Sequence, residues 1–368
     1  MKVLADLMRS QRVIVSCGAG GVGKTTTAAA LALRAAREGR RTLALTIDPS
    51  KRLAQALGVS MESLEPVRPP GLRELYGRDV PLDVWLLDPK SVTERVIRDV
   101  VSDPATREAL FANRLYQELS TMMAGMVEYT ALEALDSFIA SDRYDLVVLD
   151  TPPSRHALDV LEGPRRLAAF LDGKIFQLFL PPEGSSNLLR AGAARVLRSV
   201  LSRAFGESEY EELQNFFQAF SGVLRACGSH TARLELLLAD HAKASFVLVT
   251  GPNEAAFDEA QFVEGELAAK NMHFAGIVVT RCDRANEPRP ATAAELAKLP
   301  ATLAAELTRA ADDERQRRTS HQSLIARIET MVGDRAFLST VPTFFGGIDS
   351  LADLDRVGAM LVPSIVED

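Results

Sequence analysis

Seven short apolar runs punctuate the chain, each too brief and too continuous to be an amphipathic helix. Arg12–Ser16 (RVIVS), Thr42–Ile47 (TLALTI), Asp83–Leu87 (DVWLL), Asp145–Leu149 (DLVVL), Ser245–Thr250 (SFVLVT), Phe274–Thr280 (FAGIVVT) and Ala336–Val341 therefore predict strands. Lost alternation, clearest in Asp145–Leu149, is expected of parallel strands covered on both faces. Three- and four-residue periodicity predicts helices from Lys24 to Glu38, closed by Gly39, from Ser50 to Leu57, stopped by Gly58, and within Glu295 to Met331. Helical spacing also recurs between Pro89 and Ser141, at Met122, Met123, Met126, Tyr129, Leu132, Leu135 and Phe138. Pro66, Pro69, Pro70 and Pro81, with Gly71 and Gly77, predict an irregular excursion from Ser60 to Pro81. From Gly163 to Asp240 no strand pattern occurs, only amphipathic segments near Leu188–Ala204, Tyr210–Arg225 and Thr231–Leu238. The expected fold is α/β: one domain over residues 1–368 with a mostly parallel wound sheet covered by helices, and helical subdomain insertions at 89–141 and 163–240.

Composition narrows the class. Of 368 residues 47% are apolar and 25% charged, ordinary for a globular protein and unlike disordered or collagenous chains. A net charge of −7 argues against a nucleic-acid partner, whose phosphates call for a basic face. Cys17, Cys227 and Cys282 stand far apart, so neither a disulfide framework nor a paired-cysteine zinc site is expected, and a reducing cytoplasm fits. The opening residues run directly into a glycine cluster without a signal-like core, and no apolar run approaches 18 residues, so no transmembrane segment is expected.

The chemistry concentrates after the first strand. Gly18-Ala19-Gly20-Gly21-Val22-Gly23-Lys24-Thr25 satisfies G-x-x-x-x-G-K-[ST] between a predicted strand and a predicted helix, the context a P-loop requires. In such a P-loop NTPase the glycines let the backbone approach a nucleotide's phosphates and aim N–H groups at them, while the helix N-terminus adds partial positive charge. Gly20, Gly21, Val22, Gly23 and Thr26 would bind phosphate through the loop, Lys24 would set a charge on the β and γ phosphates, and Thr25 would bind Mg²⁺. Asp150 ends an apolar strand and opens Asp150-Thr151-Pro152-Pro153-Ser154-Arg155-His156, where a carboxylate can hold Mg²⁺ or cap the next helix. Asp48 follows the second strand in Thr46-Ile47-Asp48-Pro49-Ser50, placing it near the same metal as a water-orienting catalytic carboxylate, with an N-cap as the alternative.

Three stretches, GAGGVGKTT (Gly18–Thr26), TIDPS (Thr46–Ser50) and DTPPSRH (Asp150–His156), resemble motifs of the ArsA-type anion-transporting ATPases, the family of the arsenite-pump ATPase and the tail-anchored-protein targeting ATPase. The resemblance implies an ATP- and Mg²⁺-dependent hydrolase that dimerises with two nucleotides facing across the interface. It also implies that the residue at Asp48 activates water and that both acidic stretches switch with the γ-phosphate. The family's second lysine is replaced here by Ala19, which predicts slow hydrolysis, rescue by Lys51, Arg52 or Arg155, or a heterodimer with a lysine-bearing paralogue instead of a homodimer. Thr280 and Arg281 occupy the place of the family's adenine-contacting asparagine, so base binding falls to them and GTP stays open beside ATP. Pro342 to Phe345 are further candidates for base contact.

The methionine-bearing helix from Tyr116 to Ile139, and the cluster Phe170, Ile175, Phe176, Leu178, Phe179 and Leu180, suit either plain core or an apolar groove for a protein client. Arsenite coordination lacks clustered thiolates. A regulatory ATP binder with weak hydrolysis, or a positioning ATPase of the ParA/MinD kind, are the alternatives. The latter lacks the basic run or amphipathic terminal helix that attachment to DNA or membrane would use.

Overall fold

A computed structural model describes residues 4–46, 54, 56–60, 65–87, 94, 97–98, 101–113, 127–151, 233–282, 291–344 and 346–362, together with isolated positions between 199 and 216. The seven predicted strands are all present: β1 (Val13–Cys17), β2 (Thr42–Thr46), β3 (Leu82–Leu86), β4 (Leu146–Asp150), β5 (Ala244–Thr250), β6 (Phe274–Cys282) and β7 (Phe337–Pro342). They form one parallel sheet in the order β3-β2-β4-β1-β5-β6-β7. After β1 the chain builds outward on one side through β2 and β3, and from β5 it builds outward on the other. The carboxyl end of β1 therefore lies where the winding reverses, the place where open α/β sheets bind ligands.

Every residue of β1 to β5 is buried, which is why these segments lack polar alternation. Successive side chains serve two cores. Ile14, Ala44, Val148 and Val247 face α1 (Leu4–Ser10), α2 (Lys24–Arg37) and α9 (Leu351–Leu361). Val15, Leu45, Leu149 and Phe246 face α5 (Val127–Ala140), α6 (Glu254–Ala269) and the carboxyl-terminal third of α8 (Ala301–Val332). In this second core Trp85 meets Phe138 edge-on, with ring centroids 5.4 Å apart.

Helix α2 is alanine-rich because it is enclosed almost completely, and small side chains allow its neighbours to approach. Helix α9 uses this closeness at Gly358, where an added Cβ would stand 3.1 Å from the Ala30 carbonyl oxygen. Arg37 at the end of α2 also forms an ion pair with Asp355 of α9 and stacks over Tyr76.

The structure adds three features to these expectations. The weakly apolar amino terminus forms α1, whose Leu4, Leu7 and Met8 lie on one buried face, and Arg40 ties its end by donating to the Met8 carbonyl. The proline-rich excursion contains a one-turn helix, α3 (Leu72–Tyr76), and an antiparallel bridge between Val67 and Val84. The helix expected within Glu295–Met331 is divided into α7 (Ala293–Leu296) and α8, because Pro300 cannot donate to a continuing ladder but suits a helix start. Of the insertion at 89–141 the described part comprises α4 (Pro104–Ala112) and α5, in which Leu135 and Phe138 are core residues. Met122, Met123, Met126 and the Phe170–Leu180 cluster lie outside the described residues, as does most of 163–240.

Candidate functional site

Between β1 and α2 the loop is forced into unusual backbone by its surroundings. Gly18 has φ of +139°, and a Cβ there would fall 2.1 Å from the Val249 carbonyl oxygen of β5, so only glycine fits against the neighbouring strand. Gly23 caps α2 in the left-handed region with φ of 95° and supplies no side-chain acceptor, and the first turn carries no acidic residue. A helix start with no side-chain cap and no acid of its own suits an anion. Lys24 is 5% exposed, and its Nζ donates to the Ala19 carbonyl at 2.7 Å, holding the ammonium across the mouth of the loop. Gly21, Val22, Gly23, Lys24, Thr25 and Thr26 all line one cleft of about 650 Å³, within the range of small-ligand sites. Gly20 lies in a turn of the same loop.

Across the three central strands, register aligns Ser16, Asp150 and Thr46 at the carboxyl edge. Asp150 is buried, and the Thr46 hydroxyl donates to its Oδ2 at 2.7 Å, which fixes the carboxylate's orientation. On the adjoining strand the buried Ser16 Oγ has no hydrogen-bond partner among the described residues. Thr151, immediately after Asp150, anchors the following chain by donating its hydroxyl to the Ser16 carbonyl at 2.9 Å. This donor set fits Mg²⁺, which takes one or two carboxylates or hydroxyls and completes its shell with water and substrate phosphate. Among the described residues no group of three or more His, Cys, Asp or Glu gathers into an all-protein metal cage.

The far wall of the cleft comes from the ends of β6 and β7. Their pairing shifts register between Val279 and Cys282, so Thr280 and Arg281 sit in a bulge, Arg281 with φ of 56°. The Thr280 hydroxyl bonds to the Val22 carbonyl of the phosphate loop and lies 3.2 Å from the Thr250 carbonyl of β5. Pro342, Thr343 and Phe344 continue this wall, together with Gly347, Ile348 and Asp349. The last three were missed from sequence, although Ser350-x-x-Asp353 is a capping-box pattern that marks the corner before α9.

Asp48, Lys51, Arg52, Arg155, His156 and Phe345 lie outside the described residues. Cys17 and Cys282 are buried. The Cys17 thiol is pushed up to about 12, chiefly by burial and secondarily by the Glu259 charge, so it stays protonated and is a poor soft-metal ligand. Cys227 is outside the described residues. No helix among the described residues is long and apolar enough to cross a membrane.

The model of the ArsA_ATPase family, described as anion-transporting ATPase, matches residues 11–294. An uncharacterised protein of Streptomyces coelicolor is 34% identical over 200 residues, covering 53% of this chain and 45% of that protein. The protein named ATPase ASNA1 homolog 1 of Paramecium tetraurelia is 25% identical over 265 residues, covering 72% of this chain and 73% of the relative. The arsenical pump-driving ATPase of Escherichia coli is 28% identical over 182 residues, 46% of this chain but 27% of its own length. The chain thus spans less than half of the Streptomyces and Escherichia proteins it resembles. Because the family match runs from the residues before β1 through β6, taking in the phosphate loop, Asp150 and the Thr280–Arg281 bulge, the chain belongs to the anion-transporting ATPase family.

Proposed function

We propose that the chain is a Mg²⁺-dependent ATP hydrolase whose nucleotide state changes the geometry of a dimer, and through it the engagement of a protein partner in the cytoplasm. The observation that carries this reading is the pairing of an uncapped, acid-free α2 start with buried Lys24 at the mouth of the cleft. In this reading Lys24 and the amides of Gly20 through Thr26 position the phosphates, Thr25 and Asp150 hold the metal, and Asp48 orients the attacking water. Bound Mg²⁺ would neutralise charge developing on the phosphates. Thr46 keeps the Asp150 carboxylate aimed, so it acts by positioning.

Titration calorimetry with MgATP tests the first step: the wild-type chain takes up nucleotide and Lys24→Ala does not. Light scattering with and without nucleotide tests the dimer, homomeric or formed with a paralogue added as a second component. A nucleotide-gated binder with slow turnover is the second reading, favoured by Ala19, which lends the loop a carbonyl for Lys24 but no cation. Steady-state turnover separates the two. Repeated turnover, even if slow, supports the hydrolase reading, whereas tight uptake without turnover supports the binder.

A further inference from the structure

The cleft has two ends of different chemistry. Phosphate belongs at the α2 start, and a heteroaromatic base then falls toward the flat apolar surfaces of Pro342, Phe344 and Ile348, an assignment that rests on the proposed nucleotide function. Four side chains at that end can form hydrogen bonds: Thr280, Arg281, Thr343 and Asp349. The single hydroxyl proton of Thr280 is committed to the Val22 and Thr250 carbonyls, which ties the phosphate loop to β5. Thr343 turns back as well, its amide and hydroxyl lying 3.0 and 3.4 Å from the Cys282 carbonyl. Arg281 and Asp349 remain, and the side chain of neither is hydrogen-bonded to or ion-paired with another described residue.

Asp349 is held in place by its loop. Gly347 adopts φ of +82°, a conformation that favours glycine, and a Cβ there would stand 3.1 Å from Asp349 Oδ2, so the carboxylate lies close over the bare backbone of Gly347. The Asp349 amide donates to Asp353 Oδ2 at 3.4 Å, fastening the corner to the first turn of α9.

We propose that Asp349 reads the base, its carboxylate accepting from the exocyclic amino group of adenine while Arg281 donates to the adjacent ring nitrogen, and that Thr280 holds the loop without touching the base. Adenine presents a donor beside an acceptor, which complements this carboxylate and guanidinium. Guanine presents two acceptors on the same edge and sets O6 against the carboxylate. The pair therefore favours ATP over GTP, by roughly ten-fold for a charge-assisted bond weakened by solvent at an exposed rim.

Calorimetric titration of the full chain with Mg²⁺ and, separately, ATP, GTP and purine riboside triphosphate, which lacks the amino group, tests the assignment. Wild type binds ATP roughly ten-fold more tightly than either competitor. Asp349→Asn, whose amide can turn either face to the base, brings the ATP-to-GTP ratio near unity, and Gly347→Ala lowers it by displacing the carboxylate. Thr280→Val weakens ATP and GTP by the same factor. A wild-type chain indifferent to base or preferring GTP would overturn the proposal, as would an unchanged ratio in Asp349→Asn or an altered ratio in Thr280→Val. Uptake of no triphosphate by wild type would sink the nucleotide reading together with this one, whereas ATP uptake with an unmoved ratio in Asp349→Asn would sink this one alone.

Discussion

The two edges of the sheet use charge in opposite ways. At the amino edge, ionic groups are consumed as staples: Arg12 pairs with Asp142 at 3.0 Å, Arg41 grips both carboxylate oxygens of Asp145, and Arg40 donates to the carbonyls of Met8 and Asp145. At the carboxyl edge, Lys24, Asp150, Arg281 and Asp349 come from a helix start, two strands and a loop, three of them around one cleft, with Asp150 at the adjoining strand end. Staples close strand connections and leave nothing to bind. Groups spread around a cavity can instead converge on a ligand, and they are the ones whose removal should alter function before stability.

The contrast is broken most severely by Lys24→Ala. We expect ATP uptake to fall by roughly 100-fold or more, measured by calorimetry, because the point charge at the phosphates is lost. A fully retained affinity would mean that the carboxyl edge is not the binding edge. Next in size is Gly18→Ala, where the new Cβ meets the Val249 carbonyl at 2.1 Å and the backbone is left-handed. About 3 kcal/mol or more of stability should disappear in urea unfolding, showing that the loop's shape is imposed by β5 and not only by its ligand.

A smaller effect is expected of Thr46→Val, which removes the donor to Asp150 while nearly keeping shape. Mg²⁺ dependence of nucleotide binding should weaken roughly ten-fold, as for other groups that orient a metal ligand, with the phosphate contacts of Lys24 intact. The smallest sits at the amino edge. Asp145 is held below its ordinary value of 3.8, first by the hydrogen bond from the Arg41 side chain. Its stabilising contribution is therefore present above that value and lost as pH falls through the lower folded-state value. Arg41→Ala should flatten the fall in unfolding midpoint as pH drops below Asp145's ordinary value, and calorimetry at neutral pH should find nucleotide affinity unchanged.

The sheet was legible because burial on both faces leaves an unambiguous mark: DLVVL and SFVLVT contain almost nothing but core side chains. The phosphate loop was legible because its glycines answer local demands, such as the Val249 carbonyl beside Gly18. Helix α1 was not, since seven residues give barely two turns of periodicity and its anchor is a long-range bond from Arg40. The second wall of the cleft was only partly legible. Thr280 could be placed at a strand end, but its hydroxyl's inward direction depends on a bulge that extends β6 to Cys282, two residues past the apolar run. Asp349 carries no mark of a site in the sequence, because nothing local reveals that β7 and α9 bring it over the same cavity as Lys24.

The close crossing of α9 on α2 at Gly358 and Ala30 has a mechanical corollary. Each helix follows one of the two loops that grip opposite ends of the cleft, so the loops behave like the jaws of a caliper mounted on a common beam. Widening that crossing by a single methyl group at position 358 should change the gap between the jaws without touching either, and thereby shift the length of ligand the protein measures best.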